Sequence, residues 1–161
     1  MAGGGSGELL MRALADAHIP FIAGALNIGD SDHTLALRLA TTVITEQPYT
    51  PISSVALQQV HESLLHISIL IICPMPIGPG NLALLQEALD AAQNGLPVLL
   101  LTASVSKTIP ASEQSTTLNE HMAAQDYTGG QGLKILHALI QAGAVVVESV
   151  GEAVEFVKKR Q

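Results

Sequence analysis

Four short segments of this chain set glycine beside small polar or acidic residues, each just ahead of a stretch with helical periodicity. They are AGGGSGE (2–8), LNIGDSD (26–32), PIGPGN (76–81) and DYTGGQG (126–132). A helix leaves its first backbone N–H groups without intrahelical acceptors, and its dipole adds partial positive charge at the same end. A glycine turn there lets an anion come close, so phosphate or carboxylate binding is the chemistry these segments could do. The candidate ligand-binding residues are Gly4, Gly5, Ser6 and Gly7; Asn27, Gly29 and Asp30; Pro76, Gly78, Gly80 and Asn81; and Tyr127, Thr128, Gly129 and Gly130. In the third segment Gly78 and Gly80 permit close approach, Pro79 removes a donor and fixes the turn, and Asn81 can cap the helix. In the fourth, Thr128 or Asp126 can cap, Gly129 and Gly130 leave the first N–H groups exposed, and Tyr127 can cover a ligand ring.

Other chemistries find less support. PIGPGN has no GxxxxGK[ST] lysine and does not read GxGxxG, which excludes a Walker A loop and the dinucleotide fingerprint. Gly4-Gly5-Ser6-Gly7-Glu8 departs from GxSxG at its last position, so no nucleophile elbow is expected. Asp30, Asp32 and His33 are adjacent rather than one helical turn apart, and His61 and His66 do not share a helix face. Capping is therefore the better reading of the first group, and no metal is expected. Glu87, Glu8 and Asp126 are the carboxylates left for acid–base work. Lys107 and Lys134 are the cations placed to assist an anion site, so backbone N–H groups would do most of the recognition.

The net charge of −7 argues against nucleic acid, which needs a basic face. The one basic run, Lys158-Lys159-Arg160, ends a helix and complements its dipole. Two phenylalanines and two tyrosines are too few for a base-stacking platform, so Leu, Ile, Val and Ala must build the core. Apolar residues make up 48% of the chain, yet no run approaches the roughly 18 needed to span a bilayer, and membrane insertion is not expected. No secretory pattern opens the sequence. The single cysteine, Cys73, has no partner for a disulfide within the chain and reads as a small core residue. The cytoplasm is the natural compartment.

To position these loops, short β-branched runs alternate with helical patterns, the signature of an α/β fold. Helices are expected over 8–17, 33–40, from Ser53 or Ser54 to about 65, 81–94 with Gly95 as its stop, 129–141 and 151–159. Strands are expected near 20–26, 43–45, 68–73, 96–102 and 144–149. Together they predict one domain: a Rossmann-like three-layer α/β/α fold around a mainly parallel sheet of about five strands. Residues 103–125 are polar with little periodicity, a stretch long enough to suggest a functional loop closing over a ligand. The GGGSG near Met1 follows no strand. It reads either as a flexible linker or as a native turn whose strand lies upstream.

In order, AGGGSGELLMRAL, GALNIGDSDHTLA, PYTPIS, PMPIGPGNLALLQEAL and DYTGGQG…GAVVVES resemble the extra C-terminal domain of ABC-transporter ATPases of the iron-siderophore and cobalamin uptake type. The resemblance spans nearly the whole chain and favours the native turn at GGGSG. It implies an accessory or regulatory role beside ABC ATPase or transporter subunits. The chain has no Walker A, LSGGQ or Walker B segment, so no ATP hydrolysis is carried over. A more distant similarity joins the first glycine turn and PIGPGN-LALLQEAL to the lysine-decarboxylase-like nucleotide-binding Rossmann proteins, where a glycine turn followed by T-x-x-E holds a phosphate. Here Asn81 replaces the threonine, Leu84 stands in place of the glutamate, and Glu87 comes one turn late. The function expected is binding of a small anionic ligand, a nucleotide or phosphorylated metabolite. The alternatives are a nucleotide-processing hydrolase and a non-catalytic dimerisation module, with a homodimer compatible with either. No cofactor is assigned.

Overall fold

A computed structural model describes residues 6–25, 42–45, 53–73, 77–101 and 128–160. The elements in chain order are α1 (Ser6–Asp16), β1 (Ile22–Ala25), β2 (Thr42–Thr45), α2 (Ser54–Leu64), β3 (Leu70–Ile72), α3 (Pro79–Gln93), β4 (Val98–Leu101), α4 (Gln131–Gln141), β5 (Val145–Val147) and α5 (Val150–Lys159). The α/β class expected from the sequence is what is found. The expected helix over 33–40 and the polar stretch 103–125 lie outside the described residues.

The three strand pairs among the described residues are parallel. β3, β4 and β5 form one sheet in that order, with Leu70 opposite Val98 and Leu99 opposite Val145. β1 and β2 form a separate pair, with Ile22 opposite Thr42. The described residues thus contain a three-stranded and a two-stranded sheet, not the single sheet of about five strands read from the sequence. The β-branched runs mark where strands form; which edges pair is set by long-range contacts that the pattern does not encode.

β4 runs through the centre, and all four of its residues are buried, as a strand covered on both faces requires. Its alternation divides the core. Val98 and Leu100, with Leu70, Ile72 and Val146, pack beneath Leu85, Ala88 and Leu89 of α3 and Leu136 and Leu139 of α4. Leu99 and Leu101, with Ile71 and Val147, pack against Leu10 and Leu14 of α1 and Ala153 and Val154 of α5. Cys73 joins this second layer, half-buried. Among the described residues no helix is long and apolar enough to cross a membrane.

Helix starts and stops account for most boundary differences. Ser53 Oγ accepts the N–H of Ala56 at 3.1 Å, so α2 begins where the sequence places it. α3 begins at Pro79, two residues before the expected Asn81, because proline suits the first helical position, where its missing N–H costs nothing. α4 begins at Gln131 rather than Gly129, because Gly129 (φ 69°) and Gly130 (φ 97°) hold left-handed backbone.

Three helices end alike. After α3, Gly95 N–H reaches Ala92 O and Leu96 N–H reaches Ala91 O; after α4, Gly143 and Ala144 repeat the pattern onto Ile140 and Leu139. After α1 the same bonds run from His18 to Ala15 and from Ile19 to Leu14, but here a histidine occupies the left-handed position, at φ 57°. A Cβ in that conformation costs roughly 1–2 kcal/mol. His18→Gly is therefore expected to raise stability by about 1 kcal/mol, after the glycine's greater unfolded-state entropy is subtracted. A urea titration checks this, and an unchanged or lower midpoint contradicts it.

Candidate functional site

Because the strands are parallel, the segments leaving β3, β4 and β5 all emerge at the carboxyl edge of the sheet, the usual ligand edge of open α/β sheets. Two of the four candidate loops are described there, and one contact joins them. Ile77, 1% exposed, lies against Gly132 in the first turn of α4. A Cβ added to Gly132 would stand 2.5 Å from Ile77 Cγ2 and 3.2 Å from its Cδ1. Gly132 is glycine because Ile77 occupies that space. The N-termini of α3 and α4 are brought side by side as a result.

At α3, Ile77 and Gly78 are buried and Pro79 opens the helix. The first helical N–H groups therefore belong to Gly80 and Asn81, with Asn81 inside the helix rather than capping it. At α4, Gly130 precedes the helix with no side-chain cap of its own. Thr128 Oγ1 instead accepts the N–H of Gly132 at 2.9 Å, which fulfils the capping expected of Thr128. Alanine at Gly129 or Gly130 would meet no described atom within 4 Å, so glycine is needed there for its left-handed backbone conformation. Gln131, at the first position of α4, and Lys134, one turn in, are exposed polar side chains at this end.

The remaining sequence candidates divide. Ser6 and Gly7 form the first turn of α1, where Glu8 pairs with Arg12 at 3.2 Å. That places Glu8 in a local i,i+4 ion pair within α1. Gly4, Gly5, Asn27, Gly29, Asp30, Pro76 and Tyr127 lie outside the described residues, as do Asp126 and Lys107. Glu87 lies roughly 12 Å along α3 from Pro79. Its carboxylate pairs with His61 Nδ1 of α2 at 3.0 Å. This pair ties α2 to α3. Its exposure limits its contribution to at most about 1 kcal/mol, so Glu87→Ala is expected to lower stability by no more than that and to leave ligand binding unchanged. Loss of binding in a folded Glu87→Ala variant would instead put Glu87 in the site.

Two features at this edge escape sequence reasoning. The Ile77–Gly132 contact joins residues far apart in the chain and has no local signal. Glu148, directly after β5, is 7% exposed, the one buried charged residue among those described. Its backbone N–H donates to Glu152 Oε2 at 3.0 Å, while Ser149 Oγ accepts the N–H of Glu152 at 3.1 Å. Ser149-x-x-Glu152 is a capping-box spacing, a signal in the sequence that locates the end of β5 and the start of α5. Among the described residues no group of three His, Cys, Asp or Glu side chains could hold a metal.

The sequence model of the MJ0874 family matches residues 21–154, which include both described site loops. No curated protein and no solved structure matches the chain.

Proposed function

We propose, for a chain that belongs to the MJ0874 family, that it binds a small anionic ligand where the N-termini of α3 and α4 converge. The observation that carries this reading is the Ile77–Gly132 contact, which holds two glycine-opened helix ends together at the carboxyl edge of a parallel sheet. Gly80 and Asn81 supply backbone donors from α3, and Gln131 supplies one from α4. Lys134 is the nearest described cation along α4.

The energetics set what such a site can do. One helix N-terminus is worth about 0.3–1 kcal/mol to an exposed anion and up to about 2 in a partly buried setting. Two ends together reach at most about 4 kcal/mol, a millimolar dissociation constant for phosphate alone. A tighter ligand must carry further groups, as a nucleotide or phosphorylated metabolite does. In the fuller form of this reading the β1–β2 pair continues the β3–β4–β5 sheet into one Rossmann-like sheet of about five strands. The domain then serves in the cytoplasm as a regulatory module of a metal-chelate or cobalamin importer ATPase. The order of the glycine motifs supports that connection.

Calorimetric titration with inorganic phosphate, nucleotides, phosphosugars and corrinoids tests the proposal. Millimolar binding of phosphate and tighter binding of a larger phosphorylated compound are expected. Heat from none of the phosphorylated compounds overturns it.

A further inference from the structure

One stripe of α5 runs beside the core contacts of Ala153 and Val154. Glu152, Glu155, Phe156 and Lys159 follow one another along it at i, i+3, i+4 and i+7, the spacing of a single helix face. With Val147 and Ser149 they line an open groove of about 560 Å³. Its floor is apolar, for Val147 is buried and Phe156 half-buried in the layer between the sheet and α5. Val145, two residues earlier on the same face of β5, is 42% exposed. The outer edge of β5 pairs with no described strand. This surface belongs to the α1 and α5 side of the sheet, whereas α3 and α4 pack on the other.

We propose that this groove is the interface with a second copy of the chain, the two α5 helices lying antiparallel across a two-fold axis. The order of charges carries the choice of partner. Carboxylates occupy the start of the stripe and a lysine its end, which makes the stripe complementary to itself when reversed. With the axis between Glu155 and Phe156, residues equally far from it face one another, so Glu152 of each copy meets Lys159 of the other. The opposed helix dipoles favour the same arrangement. Contacts within the chain leave both groups available. Glu155 takes Lys158 at 3.7 Å, while Lys159 makes no ion pair with any described residue. Glu152 accepts the N–H of Glu148 through Oε2, and a carboxylate has further acceptor positions. The Phe156 side chains meet near the axis, and Val145 adds apolar surface.

Sedimentation equilibrium of the full chain from about 1 to about 500 µM tests this, over the range a small interface requires. A monomer–dimer equilibrium is expected. Lys159→Glu turns two attractions into two repulsions and is expected to weaken the dimer about thirtyfold. Lys158→Glu makes the same change in net charge one residue away, at a side chain that does not line the groove. It is expected to weaken the dimer by no more than about threefold. Lys159→Arg keeps the cation and is expected to keep the dimer. Both lysines are exposed, so all three variants are expected to fold, which circular dichroism checks. A native chain that stays monomeric at every concentration overturns the proposal and leaves the groove to an unlike partner. A dimer indifferent to Lys159→Glu, or weakened equally by Lys158→Glu, also overturns it, because the copies then meet elsewhere.

Discussion

Gly132→Ala is expected to destabilise the protein, although alanine is the better helix former. The propensity gain is up to about 1 kcal/mol in a helix interior, and less at the second position of α4. Against it stands a new methyl 2.5 Å from Ile77 Cγ2. Ile77 is 1% exposed and β-branched, so it cannot turn that methyl away without finding room in a filled core. Overpacking of this kind costs about 1–3 kcal/mol, so the net effect is a loss of up to about 2.5. Ile77→Ala alone, which empties the same space, is expected to cost about 2–5 kcal/mol. The two are predicted not to add. In the double variant the alanine at 132 occupies part of the cavity, so its cost falls short of the sum by about 1 kcal/mol or more. Urea unfolding of the four proteins measures the cycle. Simple additivity would show that the two loops do not touch.

The second large effect concerns charge. Gln131 is exposed at the first position of α4, so a substitution there changes the helix end without disturbing the core. Glu at this position favours the helix dipole by about 0.3–1 kcal/mol and so raises stability slightly. The same carboxylate repels an incoming anion. At about 5 Å the repulsion is near 1 kcal/mol in a water-like medium and about 3 when the effective dielectric falls to 20. Phosphate affinity is expected to drop by about fivefold or more in Gln131→Glu and to rise in Gln131→Lys, which loses helix stability. Stability and binding thus move in opposite directions in both variants. A binding change that tracked stability instead would indicate a general loosening of the fold and no anion at this end. Added salt is expected to shrink both binding effects.

How much of this was legible in the sequence follows from the range of each interaction. β4 was legible because a parallel strand buried on both faces reads as an unbroken apolar run, LPVLLL. Ser53 and Gly95 were legible because a cap and a stop are local devices. Pro79 and Asn81 are both helix-start signals two residues apart, and no local rule chooses between them. The structure puts the start at Pro79. His18 was not legible as a left-handed cap, because glycine is the residue expected there. The pairing of β1 with β2 apart from β3, the contact of Ile77 with Gly132, and the burial of Glu148 depend on distant chain segments. Of the four glycine loops, chemistry drew attention to each; packing shows that two of them meet. Glu87 shows the converse, a residue suited by type to acid–base work that the fold assigns to holding α2 on α3.

The most direct measurement is a phosphate titration followed through the backbone amide resonances of the 15N-labelled chain. The account predicts millimolar, saturable shifts concentrated at Gly80, Asn81 and Gln131, with Gly95 and Gly143 at the opposite edge of the sheet unmoved. Saturation with shifts centred elsewhere, or no shifts at those three amides at saturating phosphate, would contradict it.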